Sequence, residues 1–188
     1  MRYTSYMKGL LIGIVLIIVL GLSGVLLTSQ NQPTSTSTAT TSSYHATEGD
    51  VSFEYHDTYK LEERADSFEN NPVRVITLID KDVVIPDMSE GPPAISLVIV
   101  PNQQNIPLEQ WVKTKSVSNF QLSQSQTLTP TLVGGEQGLS YTHSGLYESN
   151  AVAVAHNGKV YVFSVGSIDP SDALVTDFQN LLKTVQFN

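Results

Sequence analysis

The sequence predicts an α+β protein in which an antiparallel β-sheet is flanked by helices and follows a single N-terminal transmembrane helix. Three observations support this prediction. A long uncharged apolar run lies near the N-terminus, Asn157-Gly158 separates two apolar runs as in a tight hairpin, and two later segments space apolar residues as in helices. Of the 188 residues, about 140 follow the anchor and its linker, which is the size of one ordinary domain.

The N-terminal run from Gly9 to Leu27 is long enough to cross a membrane. It has nineteen residues, of which fourteen are Leu, Ile or Val and none is charged, and as a helix it would extend about 28 Å. Because Arg2 and Lys8 precede it, residues 1–8 are predicted to stay in the cytoplasm and the rest to lie outside. The alternative is a signal peptide cut near Ser23, which would leave a secreted protein.

Residues 28–47 are almost all small and polar, with many serines and threonines. Such a composition cannot bury a core, so this segment is predicted to be a disordered stalk. As a coil it would separate its ends by roughly 25 Å. Residues 48–188 then form the predicted extracytoplasmic globular domain, which the stalk holds near the membrane.

The first half of the domain is predicted to consist mainly of strands. Val51–Tyr55 and Thr58–Leu61 alternate apolar and polar residues around a tight turn, which predicts a hairpin. Residues 62–71 are polar and predict a loop or a short helix. Pro72–Ile79 and Ala94–Val100 are rich in Val and Ile and predict buried strands, with an irregular excursion between them.

Two amphipathic helices are predicted. In residues 106–115 a proline stands at the first helical position, and Leu108, Trp111 and Val112 share one face. The last helix is predicted to begin at Asp169-Pro170 and to carry a continuous apolar stripe. The lone tryptophan is interpreted as a core residue of the first helix.

Two dipeptides, Gly134-Gly135 and Asn157-Gly158, lie between apolar runs and predict two-residue hairpin turns. The second turn fixes a register in which Val154 faces Tyr161, and the alanines of the first strand line the opposite side of the sheet. Both faces are apolar, so this hairpin is predicted to be central. The last helix is expected to pack on the alanine-rich side, because small residues leave room for close approach.

Four segments of the domain, taken in order, carry a resemblance to a known fold. They are FEYHDTYKL, ISLVIVPN before IPLEQWVK, AVAVAHNGKVYVFSV and FQNLLKTVQFN. Over residues 51–188 the chain resembles the PsbP-like family, the α/β/α sandwich of the extrinsic photosystem II protein and its bacterial relatives. The resemblance implies a non-catalytic accessory or binding module on the outer face of a membrane. None of the plant protein's ion-retaining residues is matched, so it implies no ion site and no photosynthetic role.

The composition and motifs exclude several kinds of chemistry. The chain has no cysteine, which excludes disulfides and thiolate chemistry. It contains no G-x-S-x-G, P-loop, G-x-G-x-x-G or H-E-x-x-H motif, and its four histidines are scattered, so no catalytic residue, cofactor or metal site is predicted. Eight basic and all eighteen acidic residues follow the anchor, and a domain of this charge is not expected to bind nucleic acid.

A hairpin loop, HSGLYES, is one candidate surface. Tyr141 and His143 share a strand face, and Tyr147 lies a few residues further along. The simpler interpretation is an ordinary hairpin end whose tyrosines pack on the sheet.

An acidic loop is the second candidate. Its carboxylates are Asp80, Asp82, Asp87 and Glu90. Oxygen ligands of this kind could hold a hard cation such as calcium. The spacing is not that of an EF-hand, and solvated loop charges explain the cluster more simply.

The leading functional hypothesis is a membrane-anchored accessory module that binds a membrane or envelope protein. It predicts an exposed apolar patch without a deep polar pocket. The alternatives are a small-molecule or cation-binding sensor domain, which requires a concave pocket, and an enzyme of unrecognised class, which requires convergent titratable groups in one cleft.

Overall fold

The computed structural model describes residues 40–46, 50–69, 71–85 and 91–188. These residues form two α-helices and ten strands. The strands are β1 (Thr41–His45), β2 (Val51–His56), β3 (Tyr59–Phe68), β4 (Asn71–Asp80), β5 (Ile95–Pro101), β6 (Thr129–Val133), β7 (Glu136–Ser144), β8 (Glu148–His156), β9 (Lys159–Ser167) and β10 (Gln186–Phe187). The helices are α1 (Leu108–Thr114) and α2 (Ala173–Thr184), with 3₁₀ turns at Ser116–Ser118 and Phe120–Leu122.

Seven of these strands form one antiparallel sheet in the order β3-β4-β5-β9-β8-β7-β6. Its middle strands β5, β9 and β8 are apolar on both faces, because both faces of the sheet are covered. The predicted hairpin register is confirmed: Val154 pairs with Tyr161, and Val152 pairs with Phe163. The α+β class with antiparallel strands and two helices is therefore correct.

Both predicted hairpin turns are confirmed. Asn157 and Gly158 have φ angles of 45° and 71°, and Gly134 and Gly135 have φ angles of 59° and 83°. Two consecutive residues with positive φ make the turn whose twist matches that of paired strands, and Asn and Gly adopt it at the lowest cost. The sequence signal and the observed turns agree for this reason.

One face of the large sheet is covered by a second sheet and by α2. The small sheet has the order β1-β2-β10, and Val51 and Phe53 of β2 pack against Phe178 and Leu181 of α2 and against the apolar face of the large sheet. The aromatic side chains Tyr161 and Phe163 lie in this core. No second sheet was predicted, and the predicted hairpin of Val51–Tyr55 with Thr58–Leu61 is wrong, because β2 and β3 lie in different sheets.

The opposite face is covered by α1 and the 3₁₀ turns. Trp111 and Val112 pack with Phe120 against Ala151 and Ala153. The prediction that α2 packs on the alanine-rich side is wrong, because these small residues accommodate the large Trp111 side chain of α1. The interpretation of Trp111 as a core residue is confirmed, since its side chain is 1 % exposed.

Residues 62–71 were predicted to be a loop or a short helix, and this is wrong. They continue β3 to Phe68 and, after a turn, begin β4. β3 is an edge strand whose side chains are largely exposed, so charged residues can occupy it on either face while its backbone pairs with β4. The usual alternation of apolar and polar residues is therefore missing.

The predicted stalk, residues 28–47, extends too far. Thr41–His45 form β1, which pairs antiparallel with β2, and Tyr44 and Ala46 are buried. The backbone ladder holds this polar segment in place, and Tyr44 supplies the apolar contact. The start of α2 also differs from the prediction, since Asp172 is the N-cap and accepts a hydrogen bond from Leu174 N, whereas Asp169 lies in the preceding turn.

The predicted membrane anchor, residues 9–27, lies outside the described residues. Within the part of the chain that the structure describes, neither helix combines the length and the apolar character needed to cross a bilayer.

Substitution of Gly134 tests how closely the Gly134-Gly135 turn packs against β10. A Cβ at this position would lie 2.8 Å from Phe187 Cδ2 and 3.0 Å from Val185 O, whereas a Cβ at Gly135 would meet no atom within 4 Å. Both residues have positive φ. We expect Gly134→Ala to lower the free energy of unfolding by about 2–3 kcal/mol and Gly135→Ala by about 1 kcal/mol, measured by urea unfolding. Equal losses would show that the contact with Phe187 has no energetic weight.

Candidate functional site

Most of the exposed large apolar side chains lie at one end of the large sheet. Of the eight such exposed side chains in the described residues, five lie in three loops at this end: Val83, Val84, Ile85, Leu146 and Ile168. Val84 is 87 % exposed, Ile168 78 % and Leu146 60 %. These loops follow β4, β7 and β9, and alternate antiparallel strands end at the same edge of a sheet. We call this surface the apolar end.

Two hydrogen bonds connect the ends of these loops. Tyr147 Oη donates to Gly91 O at 2.9 Å, which joins the β7–β8 turn to the loop before β5. Gly166 N donates to Ala94 O at 3.1 Å, which joins that loop to the end of β9. A shallow hollow of about 270 Å³ lies between Leu146 and Ile168.

The apolar end has an acidic rim. Asp80, Asp82, Glu148 and Asp169 are exposed there, and Lys81 is the exposed basic residue in the same loops. Hydrogen bonds from the backbone and the hydroxyl of Ser171 lower the pKa of Asp169, so this carboxyl is ionised at neutral pH. A negative rim repels anionic lipids and phosphates and attracts basic side chains.

The chain enters the domain at this same end. Asp57 N donates to Thr40 O, and Lys81 N donates to Thr58 O, each at 3.0 Å. β1 begins at Thr41, which pairs with His56 at the end of β2. The residue that follows the undescribed N-terminal segment is therefore hydrogen-bonded to the turn that supports the Val83–Ile85 loop.

The predicted residues of the HSGLYES loop have separate structural roles. Tyr141 is buried against Phe120, and its Oη donates to Ser118 O at 2.8 Å. Burial raises its pKa, so it stays protonated. Tyr141 and His143 are neighbours, with ring centroids 6.3 Å apart, whereas Tyr147 bonds to the loop at Gly91.

His143 is half-buried, and burial lowers its pKa although the nearby carboxylate of Glu148 acts in the opposite direction. The ring is therefore neutral at neutral pH. Its Nδ1 has no hydrogen-bond partner among the described residues. Its titratable neighbours are Tyr141, which stays protonated, and Glu148, and neither is hydrogen-bonded to this nitrogen.

The acidic loop is only partly described. Asp80 Oδ1 accepts a hydrogen bond from Asp82 N at 2.9 Å, which is a local turn contact, and Asp87 and Glu90 lie outside the described residues. Across residues 40–46, 50–69, 71–85 and 91–188, no three His, Asp or Glu side chains cluster closely enough to hold a metal ion.

The opposite end of the sandwich carries two ion pairs. It contains a cavity of about 250 Å³ beside Arg74 and Lys159. Lys159 forms an ion pair with Asp50, and Arg74 Nε lies 3.3 Å from Glu63 Oε1. Burial acts to raise the pKa of Asp50, but the hydrogen bond and charge of Lys159 lower it overall.

Tyr44 lies beside this cluster. Burial, followed by the Glu63 carboxylate, raises its pKa to about 12. The Tyr44 hydroxyl therefore keeps its proton at neutral pH, and it is not a general base. Both ring nitrogens of the nearby His156 are hydrogen-bonded. Nδ1 lies 2.8 Å from Glu136 Oε1, and Nε2 lies 3.2 Å from Asn188 O.

Sequence reasoning missed the apolar side chains of the apolar end. The sequence predicts only an irregular excursion at Val83–Ile85 and no role for Leu146 and Ile168. The available signal was an apolar residue within a turn-rich segment flanked by carboxylates, as in DKDVVIPD and SIDPSD. Solvated loops do not ordinarily carry such residues in adjacent positions.

The fold defines the class of this chain: an α+β sandwich of antiparallel sheets with two helices, which is the PsbP-like fold. Cyanobacterial PsbP (CyanoP) from Synechocystis has the same fold, with a TM-score of 0.53 and 12 % identity over 82 % of this chain and 96 % of that chain. The resemblance inferred from the sequence is confirmed for the fold.

A second solved structure, of a protein from Bacteroides thetaiotaomicron, is similar with a TM-score of 0.50 and 8 % identity over 78 % of this chain. The chain spans about half of that structure, 48 % of its length. At such identities the similarity shows the fold alone. No family model and no curated protein matches the sequence.

Proposed function

We propose that this chain is a membrane-anchored extracytoplasmic accessory module, without catalytic activity, that binds a membrane or envelope protein through its apolar end. The observation that supports this function best is the coincidence of the exposed apolar loops with the point where the chain enters the domain. An anchor at residues 9–27 would tether the domain by this end. Twelve residues, 28–39, separate the anchor from Thr40, and they span at most about 40 Å.

The chemistry of the apolar end favours a protein partner. Exposed Val84, Ile168 and Leu146 can be buried in a complementary surface, and removing this apolar area from water favours binding. The acidic rim would be matched by basic side chains around that surface. Anionic lipid headgroups would be repelled by the same rim. The partner is thus expected to present an apolar centre surrounded by Lys and Arg.

Leu146 and Leu132 provide a matched test. Both are exposed leucines, at 60 % and 67 %, and they lie at opposite ends of the large sheet. We expect a photo-crosslinking amino acid at position 146 or 168 of the full-length chain, in its native membranes, to capture one and the same protein. The same group at position 132 should not capture it. Adding Ile168→Asp should lower capture from position 146 about tenfold or more.

Three outcomes would contradict the proposal. The first is crosslinking to lipid alone from positions 146 and 168, which would indicate a membrane-surface contact. The second is equal capture from position 132, and the third is capture that Ile168→Asp does not change. Raising the salt concentration should weaken capture, because the rim contacts are electrostatic.

A further inference from the structure

The outer edge of the large sheet is β3, a ten-residue strand with mostly exposed side chains. Among the described residues, β3 pairs with β4 alone. The backbone groups on its other side thus have no strand partner in that part of the chain. An open edge of this length can accept a further strand unless its side chains oppose the approach.

The charges on β3 alternate in sign along one face. Lys60, Glu62, Arg64 and Asp66 occupy every second position, so they point to the same side of the sheet. Each side chain is at least 50 % exposed. Lys60 Nζ lies 2.7 Å from Glu62 Oε1, and Arg64 Nε lies 3.6 Å from Asp66 Oδ2. Charges of a single sign would keep two copies apart, whereas an alternating pattern can complement itself.

We propose that β3 pairs antiparallel with β3 of a second copy of this chain, about a two-fold axis at Glu63. In this register Lys60 lies opposite Asp66, and Glu62 lies opposite Arg64. The two-fold axis repeats both pairs, which gives four cross-strand contacts between opposite charges. The result is one continuous sheet of fourteen strands, twice the seven of one copy.

The charge pattern selects this register over its neighbours. Two-fold symmetry keeps the same faces aligned, so the smallest allowed slip changes the sum of paired residue numbers by two. One slip places Lys60 opposite Arg64 and Glu62 opposite itself. The other places Glu62 opposite Asp66 and Arg64 opposite itself. Both slips replace every attraction among these residues by a repulsion.

The residue on the axis is compensated within each copy. Glu63 meets its own counterpart, but its Oε1 lies 3.3 Å from Arg74 Nε on β4. Two bare carboxylates therefore do not face each other. On the same face Leu61 lies opposite Ala65, which is an apolar contact.

The pairing turns the apolar ends of the two copies in opposite directions, because the strands are antiparallel. β3 is about 33 Å long, and residues 28–39 can extend about 40 Å. Two copies anchored in one membrane can therefore still pair. Only one of them then presents its apolar end to that membrane. The inference does not rest on the proposed docking, since it uses a different surface.

The test uses the full-length chain in its native membranes. Because the chain has no cysteine, a disulfide between two copies can form only through an introduced thiol. E63C places two thiols opposite each other, and mild oxidation should give a covalent dimer. S67C is the control, because residue 67 would lie about 26 Å from its counterpart along the paired strands. We expect a dimer from E63C and none from S67C. Absence of a dimer from E63C, or equal yields, would overturn the pairing.

A charge exchange tests the register. K60E in the E63C background should lower the dimer yield about tenfold, because the introduced carboxylate would face Asp66 of the second copy. Adding D66K should restore the yield, since the exchanged charges again attract. Residues 60 and 66 of one strand are about 20 Å apart, so a defect within one chain would not be rescued. An unchanged yield in K60E, or no recovery with D66K, would contradict the proposal.

Discussion

Replacing Phe178 by alanine is expected to lower the free energy of unfolding by about 3–5 kcal/mol. Phe178 of α2 is 0 % exposed and packs between the large sheet and β2. Truncation removes its apolar contacts and leaves a cavity that the paired strands on both sides cannot readily close. Because domains of this size are stable by roughly 5–15 kcal/mol, the loss is a large part of the total. Urea unfolding followed by far-UV circular dichroism measures it.

Phe68 provides the matched control, because it is also a phenylalanine and is 40 % exposed at the end of β3. Phe68→Ala is expected to cost less than about 1 kcal/mol. Similar losses for the two variants would mean that α2 is not packed on the sheet as the structure has it.

Trp111→Ala is expected to have a comparable effect, about 3–5 kcal/mol, from the opposite face of the large sheet. The indole of Trp111 fills the space above Ala151 and Ala153. α1 has only seven residues, and a helix of this length is not stable by itself in water. Removing its main contact should therefore loosen α1 and the following 3₁₀ turns before the whole domain unfolds.

Hydrogen exchange can detect this order of events. In Trp111→Ala, the amides of residues 108–122 should exchange faster than those of β8 and β9 under native conditions. Leu122→Ala is the control, since Leu122 is 45 % exposed in the adjacent turn and its removal should leave exchange nearly unchanged. Uniformly faster exchange throughout the domain would contradict a separate role for Trp111.

The strongest sequence signals were local ones. Asn157-Gly158 set both the turn and the register of β8 and β9, because the turn geometry admits few other residues and the side-chain period of a strand is two. β4 and β5 were found from their Val and Ile content, since both of their faces are covered. Pro107 and the spacing of Trp111 and Val112 located α1, because proline favours a helix start and the two apolar residues share one face of the helix.

The missed elements depend on distant partners. β1 is polar and exists because β2 offers a backbone edge, and β3 is charged because it lies at the rim of the sheet. The face of the sheet on which each helix packs could not be predicted from local sequence either. It depends on how well the side chains of each helix fill the space above that face. The apolar end was missed because its residues come from three loops that only the sheet brings together.

The small sheet joins parts of the chain that are far apart in sequence. Glu54 N donates to Thr184 Oγ1 at 2.9 Å across 130 residues, and β10 completes the pairing of β2. During synthesis, β1 and β2 therefore emerge from the ribosome long before the helix that covers them. The apolar face of β2, with Val51 and Phe53, therefore stays uncovered until nearly the whole domain has been made. Folding of this layer is expected to be late and slow, and the uncovered face is open to aggregation until then.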